Sequence, residues 1–477
     1  MHFFDFLKLS FREHRRFFFF FLIIAFAVRL YCVAVFPHLG GDSPVYEKLA
    51  GNMISARTLS LSDAAPFVPC DIRTPGYPLF IAISFELFGY HDTPIRLLQV
   101  LLDVLTCVLV GTIGLAIAPG PHRFRIGSLG FAIAAVCPFL AEYTASILSE
   151  SLTIFLTTLG LALAVYALNN GKKLLWFFCG IVCGMGVMVR PDTILLVAAI
   201  GLTLLFAYIR KRSFREMFIA GGLLGFAVLL VMAPWVIRNW VSLKKFQPLS
   251  ARYAEMPGEY VPRGYMRWVR TWIDSSRYED LAFFSLDERE IDLGALPDKA
   301  FDSEEEKEKV AEILEAYNDD TTMTQEIDER FGEVANERIA RAPFRYYVVV
   351  PAKRAFTLWV DTHSELLPMT SLIYPVKQQA TDSPIDFTVS LAHGLLNAFY
   401  LIMGLVGVFI MRKDRVLLLL FVLTIGIRTV FLSSLENTES RYVLEVYPFV
   451  EVFAAIGIFF LWERIRTKPN INIGASA

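Results

Sequence analysis

The chain has 477 residues, of which 55% are hydrophobic and only 19% are charged, and its formal net charge is −2. Soluble globular proteins carry about 25% charged residues, so this composition argues against a soluble fold. The near-neutral charge also gives no reason to expect a nucleic-acid partner. Apolar runs of about 20 residues recur, which is typical of helices that cross a bilayer. The sequence therefore predicts an all-α, polytopic membrane protein whose first partner is the lipid bilayer.

The first predicted element is a basic N-terminal stretch followed by an apolar run, 17–36. No cleavage site of small residues follows this run, so we interpret it as a retained first span rather than a signal peptide. Hydropathy predicts about ten spans in all, at 17–36, 95–118, 126–145, 147–168, 174–190, 193–209, 216–236, 388–410, 416–434 and 444–462. The third and fourth are joined so tightly that they could instead form one re-entrant pair.

The distribution of basic residues predicts the orientation of these spans. Alternate short loops are rich in Lys and Arg, for example around Arg123, Lys172 and Arg210, whereas the loops between them hold acids such as Glu142. Basic loops stay in the cytoplasm, so both termini are predicted to be cytoplasmic. Two long segments, 37–94 and 237–387, are then extracytoplasmic.

These segments divide the chain into three predicted regions: a membrane module, 1–236, which includes the first external loop, an insertion, 237–387, and a C-terminal membrane module, 388–477. The insertion carries apolar residues at helical spacing, which predicts a small helical subdomain. Its stretch 266–273, with two tryptophans and two arginines, is predicted to lie at the level of the lipid head groups.

Charged residues near the membrane concentrate at the outer ends of spans rather than midway across. Ionisable groups at membrane depth are costly and therefore mark functional sites, and a transporter would place them near the midplane. The pattern predicts one pocket at the outer leaflet. It is formed by residues that include Asp42, Arg73, Glu142, Glu150, Arg190, Asp192, Arg238, Glu439 and Arg441.

Arginine with carboxylate suggests a particular chemistry for this pocket. Arginine binds phosphate in a bidentate manner, and a carboxylate can remove a proton from an acceptor hydroxyl or amine. This pairing suits the transfer of a sugar from a lipid phosphate. The chain contains no fingerprint for a nucleotide cofactor or for a metalloprotease.

Several stretches resemble one family: GGDSPVYEKLAGNM from Gly40, RTPGYPLFIA from Arg73, VMVRPD from Val187, APWVIRN from Ala233 and ESRYVLEVYP from Glu439. In order and predicted sidedness they resemble the GT-C fold glycosyltransferases that use polyprenyl-phosphate sugars, in the branch of protein O-mannosyltransferases and lipid A aminoarabinose transferases. The resemblance implies a GT-C-like fold, an undecaprenyl- or dolichyl-phosphate-linked sugar as donor, an inverting transfer and an envelope acceptor (lipid A, a glycan, a lipid or a protein). It also implies the bacterial inner membrane, with a periplasmic active site.

The resemblance also assigns roles to residues. Asp42 matches the general base of the first loop, Arg73 and Tyr77 match a segment near the donor, and Glu150 matches an acid of the second external loop. The complete donor or phosphate group is Arg73, Tyr77, Arg190, Arg238, Arg441 and Tyr442, and the acceptor or supporting group is Glu150, Asp71 and Glu439.

Simpler roles stay open for these residues. Asp42 with Pro44 is also a good helix start, and the arginines could be head-group anchors. Many relatives have Asp-Glu where this chain has Asp42-Ser43, so no metal site is predicted, although a divalent metal stays open as a cofactor. His363 is a weaker candidate for a metal ligand.

Two other functions stay open as well. A flippase or exporter of lipid-linked sugars would need charge along a path through the membrane. An O-antigen ligase or polymerase would use a diphosphate donor and would not need the Asp42 loop.

Overall fold

The computed structural model describes residues 4–38, 40–250, 260–284, 286–369, 373–437 and 439–467. These residues form helices and no β-strand. The N-terminal half contains α1 Asp5–Glu13, α2 Arg15–Val35, α3 Ser43–Ser55, α4 Gly76–Phe88, α5 Asp92–Ile117, α6 Arg123–Val136, α7 Pro138–Ala141, α8 Glu150–Asn170, α9 Lys173–Val189, α10 Ile194–Arg210 and α11 Phe214–Leu243.

The second half begins with the inserted segment. It contains α12 Arg263–Arg270, α13 Glu304–Asn318, α14 Gln325–Arg341, α15 Val350–Trp359 and α16 Val376–Asp382, followed by the membrane helices α17 Pro384–Met411, α18 Arg415–Ser433 and α19 Tyr447–Arg466. Short π-helical turns lie at Asp280–Phe284 and Arg345–Val349.

Eight helices of the described chain are long and apolar enough to cross a membrane, and a bent pair, α6 with the segment Pro138–Ala145, raises this to nine. The predicted span 174–190 is the apolar helix α9, which is only 17 residues long. The predicted all-α, multi-pass architecture is confirmed, whereas the count of ten and the orientation stay predictions.

The bend between α6 and α7 falls at Pro138, which has no backbone N–H to continue the helix, and an arginine binds carbonyl groups at this break. Arg29 of α2 is fully buried, donates to the carbonyl oxygens of Ala134 and Ala135, and pairs with Asp103 of α5 at 2.7 Å. Breaks of this kind are tolerated where side chains satisfy the freed backbone groups. The chain bends by 53° here, and the turn that leads to α8 is placed beside the first external loop.

Small residues allow the membrane helices to pack closely, as the glycines of α9 predict. A Cβ at Gly180 would lie 2.4 Å from the carbonyl oxygen of Leu224 in α11. In the C-terminal module, Gly407 of α17 lies against the backbone of Phe453 in α19 in the same way.

The inserted segment has its own hydrophobic core. The core contains the residues predicted from helical spacing, such as Val310 and Phe331. It also contains Trp268 and Trp272, which are 0% and 2% exposed. Its tryptophans pack on α14 and face the interior of the insertion, so they are not available as head-group anchors. The level of the stretch 266–273 relative to the membrane stays a prediction.

Candidate active site

The loop that follows α2 positions Asp42 at the start of α3. The side chain of Asp42 does not cap the helix. Its Oδ1 instead accepts a hydrogen bond from Nη2 of Arg73 at 2.8 Å. The neighbouring Ser43 donates to the carbonyl oxygen of Ile147 at 3.0 Å, which ties the start of α3 to the turn before α8. Asp42 therefore does not act as an N-cap of α3, and its carboxylate pairs with Arg73 instead.

The Pro-Gly turn after Arg73 packs on the C-terminal end of α9. Thr74 donates to the carbonyl oxygen of Val189 at 3.2 Å, and a Cβ at Gly76 would lie 2.5 Å from the carbonyl oxygen of Met188. Only glycine permits this close approach of two backbones. The turn thus places Arg73 beside Arg190, which follows α9 directly.

Arg73 is half-buried, with 22% of its side chain exposed. Burial lowers the pKa of its guanidinium, but the carboxylate of Asp42 and the ring of Tyr46 outweigh this effect, and the pKa is raised overall. Arg73 therefore carries a permanent positive charge at the mouth of the site.

A second ion-pair group lies where α8, α9 and the segment before α19 meet. Nη1 of Arg190 donates to Oε1 of Glu150 at 3.0 Å, and its Nε lies 2.9 Å from Oε1 of Glu445. The guanidinium also lies over the ring of Tyr442 at 4.8 Å. Glu150 and Glu445 are only 2% and 1% exposed, so Arg190 neutralises two carboxylates that have left water.

Arg441, which precedes α19, is the last member of this ion-pair group. It forms an ion pair with Glu439, and its Nε lies 3.6 Å from Oε1 of Glu150. Tyr442 donates to Glu439 at 2.8 Å. Glu150 therefore contacts two arginines, Arg190 and Arg441, that lie about 250 residues apart in sequence.

These residues surround one cavity of about 490 Å³, which we call the arginine cavity. Seven of the ten residues that were assigned a role line it: Asp42, Arg73, Glu150, Arg190, Glu439, Arg441 and Tyr442. Glu142 and Asp192, which were also predicted for the pocket, lie outside its lining. The structure thus brings together four loops that the sequence could connect only by their predicted sidedness.

The other three predicted residues lie outside the lining of this cavity. Tyr77 is fully buried and donates to Gln99 at 2.7 Å. Arg238 donates to the carbonyl oxygens of Cys70 and Leu59 at 2.8 and 3.0 Å, so it holds the first loop in shape. Asp71 is half-buried beside this contact. None of the three lines this cavity, and the contacts of Tyr77 and Arg238 are made within the protein.

Arg428 is an important residue that the sequence reasoning missed. It lies in α18, is 4% exposed, and contacts Asp192 and Glu445 at 2.8 Å each. Its Nε also donates to the carbonyl oxygen of Tyr442. An arginine inside an apolar span was the signal that could have identified it.

The acidic residues of the site pair with arginine rather than with one another. Among the residues that the structure describes, no three His, Cys, Asp or Glu side chains come together as a metal site would require. The cavity and the ion pairs around it combine four arginines with five carboxylates, namely Asp42, Glu150, Asp192, Glu439 and Glu445.

A family model, described as dolichyl-phosphate-mannose-protein mannosyltransferase, matches residues 72–237. This match includes Arg73, Glu150 and Arg190, whereas Asp42 and Arg441 lie outside it. No curated protein sequence is significantly similar to the chain.

Solved structures are similar in fold at low sequence identity. An oligosaccharyltransferase from Archaeoglobus fulgidus, tethered to an acceptor peptide, is 12% identical, with a TM-score of 0.52 over 96% of this chain and 51% of that chain. ArnT from Cupriavidus metallidurans, bound to undecaprenyl phosphate, is 13% identical, with a TM-score of 0.41 over 92% of this chain and 78% of that chain. The predicted GT-C-like resemblance is confirmed.

Proposed function

Since the chain has a GT-C fold and matches the mannosyltransferase family over residues 72–237, we propose that it is a membrane glycosyltransferase. It moves a sugar from a polyprenyl-phosphate donor to an envelope acceptor at the outer face of the membrane. The observation that carries this proposal is the arginine cavity, where Asp42 pairs with Arg73 beside Arg190 and Arg441.

Donor binding requires an arginine that can exchange its partner. The cluster already contains more carboxylates than arginines. A phosphate therefore adds further negative charge unless it displaces a carboxylate from its arginine. The pair of Asp42 and Arg73 is the most exposed of those in the cavity, with side chains 38% and 22% exposed, whereas Glu150 is 2% exposed. Arg73 therefore turns to the phosphate, and this exchange frees the carboxylate of Asp42.

The freed carboxylate then acts as the general base. The acceptor hydroxyl attacks the anomeric carbon and its proton passes to Asp42. The bond from that carbon to the phosphate oxygen breaks, and its electron pair leaves with the polyprenyl phosphate. Arg73, together with Arg190 and Arg441, stabilises the charge that develops on the leaving phosphate. Attack from the face opposite the phosphate inverts the anomeric centre.

The test is a transfer assay with purified protein in nanodiscs, supplied with radiolabelled undecaprenyl-phosphate sugars and crude envelope acceptors. Wild-type protein should move label into the acceptor. Asp42→Asn should lower transfer by at least about 100-fold, because general bases contribute roughly 10²- to 10⁴-fold.

Asp63→Asn is the matched control, since Asp63 lies in the same loop with a side chain that is 94% exposed and pairs only with Lys48 among the described residues. It should transfer at the wild-type rate. Transfer that survives in Asp42→Asn removes the proposed base. A wild-type protein that consumes no donor but moves labelled donor across a liposome membrane would be a flippase.

A further inference from the structure

A second cavity, of about 630 Å³, adjoins the arginine cavity. The two share Phe284 and Glu439 in their linings. The second cavity lies between the inserted segment, the loop that follows α15, and α17. A molecule in it would therefore reach the arginine cavity past Phe284 and Glu439. We call it the acidic cavity because of the charges described next.

Carboxylates dominate the polar wall of this cavity. Glu279, Asp361, Glu365 and Glu439 line it, against a single arginine, Arg277. Arg277 is exposed, and its guanidinium lies over the ring of Tyr278 at 4.5 Å. Glu279 is buried and Asp361 and Glu439 are partly buried, whereas Glu365 is exposed, as Arg277 is.

Two of these carboxylates have only neutral partners in the described chain. Glu365 accepts from the hydroxyl of Tyr143 at 2.6 Å, and Asp361 accepts from the backbone N–H of Thr362 at 2.7 Å. Neither forms an ion pair with the described residues. Burial lowers the pKa of the nearby His363 despite the opposing effect of these acids, so its ring adds no positive charge near neutral pH. A phosphate group here would meet uncompensated negative charge.

The opposite wall is apolar and belongs to a membrane helix. Leu391, Gly394 and Leu395 of α17 line it together with Ile373, and Leu395 is 64% exposed. Carboxylates and hydroxyls accept hydrogen bonds from hydroxyl or amine donors, and the apolar wall suits an acyl chain. The cavity thus has one polar wall, formed by carboxylates, and one apolar wall, formed by α17.

We propose that the acidic cavity binds the acceptor, and that the acceptor is an amphiphile whose head group is neutral or positively charged and carries no phosphate. The proposal rests on the proposed function, since it names the acceptor class for the same transfer. The head group lies among Asp361, Glu365 and Glu439, and its nucleophilic hydroxyl enters the arginine cavity past Phe284. There its oxygen bonds to the anomeric carbon, its proton passes to Asp42, and the polyprenyl phosphate leaves.

The first experiment measures binding without any donor, so its outcome is independent of turnover. Full-length protein in nanodiscs is first saturated with undecaprenyl phosphate, which fills the arginine cavity under the proposed function. It is then titrated with three diacylglycerol amphiphiles that have identical acyl chains and carry a neutral glycosyl, an amine or a phosphate head group. The glycosyl- or amine-headed lipid should bind at least about ten-fold more tightly than the phosphate-headed one. Equal or tighter binding of the phosphate-headed lipid overturns the proposal. Glu365→Gln removes one negative charge and should therefore reduce the difference in affinity between the phosphate-headed lipid and the other two.

The second experiment blocks the cavity sterically. A Cβ at Gly394 would meet Ile373 and Thr362 at ordinary contact distances of 3.5 and 3.8 Å, so Gly394→Ala should fold and bind normally. Gly394→Leu places a larger side chain in the cavity and should weaken binding of the preferred amphiphile at least ten-fold. Gly426→Leu is the matched control, because a Cβ there meets nothing within 4 Å of the described chain.

Normal binding in Gly394→Leu overturns the proposal, whatever the transfer assay shows. Conversely, if the expected binding pattern is found but wild type transfers no sugar, the proposed function fails while the amphiphile site stands. When both hold, Gly394→Leu should still bind the donor and should lose transfer at least ten-fold.

Discussion

The arginine cavity and the acidic cavity share two lining residues but differ in how their charges are compensated. In the first, every carboxylate of the lining meets an arginine, and Glu150 meets both Arg190 and Arg441. In the second, Asp361 and Glu365 have only neutral partners among the described residues. The arginine cavity is therefore suited to an anion that takes the place of a carboxylate, whereas the acidic cavity repels anions.

The largest expected effect concerns the buried ion pairs of Arg428, which lie next to the arginine cavity. Arg428→Met leaves Asp192 and Glu445 with Arg190 as their remaining partner, and breaking a buried ion pair costs about 3–5 kcal/mol. We expect the free energy of unfolding, measured by denaturant titration in detergent, to fall by about 3 kcal/mol. The exposed Arg412 of the loop before α18 provides the control, and Arg412→Met should change stability by less than about 0.5 kcal/mol. Equal stability of the two variants would mean that Arg428 is not needed to stabilise the cluster.

The next effect tests whether the arginine cavity binds phosphate. Arg73→Ala should lower kcat/KM for the donor about 100-fold, equivalent to about 2.7 kcal/mol, and Arg73→Lys should recover only part because lysine lacks the bidentate geometry. The measurement is steady-state transfer at varied donor concentration. Arg289→Ala, at an exposed position of the insertion, should leave kcat/KM for the donor unchanged. A full recovery by lysine would reduce the role of Arg73 to that of a point charge.

A smaller effect arises behind the acidic cavity and depends on pH. Neither ring nitrogen of His363 has a hydrogen-bond partner in the described chain, and burial holds the pKa of the ring below its ordinary value of about 6.5. The unfolded chain therefore binds the proton more readily than the folded protein does. Stability should be full above about pH 6.5 and should fall below it, by at most about 1.4 kcal/mol per pH unit.

Denaturant titrations between pH 7.5 and pH 5.5 measure this slope. His363→Asn should remove its contribution, and asparagine tolerates the backbone at this position, where φ is +49°. A variant that keeps the full slope would assign it to other groups.

The smallest effect separates supporting residues from lining residues. Tyr77→Phe removes the hydrogen bond to Gln99 and should cost about 1 kcal/mol of stability. Donor kcat/KM should change by less than about three-fold, because the hydroxyl lies outside the arginine cavity. A loss of about 100-fold would instead place the hydroxyl of Tyr77 at the donor.

Local patterns were sufficient to predict the helical membrane architecture and most of the arginine cavity. Apolar runs identify spans because the bilayer requires about 20 apolar residues per crossing. Charge at the outer ends of those spans indicated Asp42, Glu150 and Arg441 because ions avoid the membrane interior. The same pattern indicated Arg73, and the resemblance to GT-C enzymes placed it near the donor and added Tyr77.

Pairing across the fold could not be predicted in the same way. Arg428 contacts Asp192, which lies 236 residues away in sequence, and nothing in the spacing of either residue indicates the other. The burial of Trp268 depends in the same way on α14, which follows much later in the chain.

The sequence by itself determined that the chain is a multi-pass helical protein and that charged residues lie at the ends of its apolar segments, because hydrophobicity acts on each segment separately. Tertiary structure alone decided that Tyr77 and Arg238 brace the site, that Asp42 meets Arg73 instead of capping α3, and that a second cavity opens beside the first. These outcomes depend on the packing of helices that are distant in sequence, and such packing selects the partner that each buried charge must have.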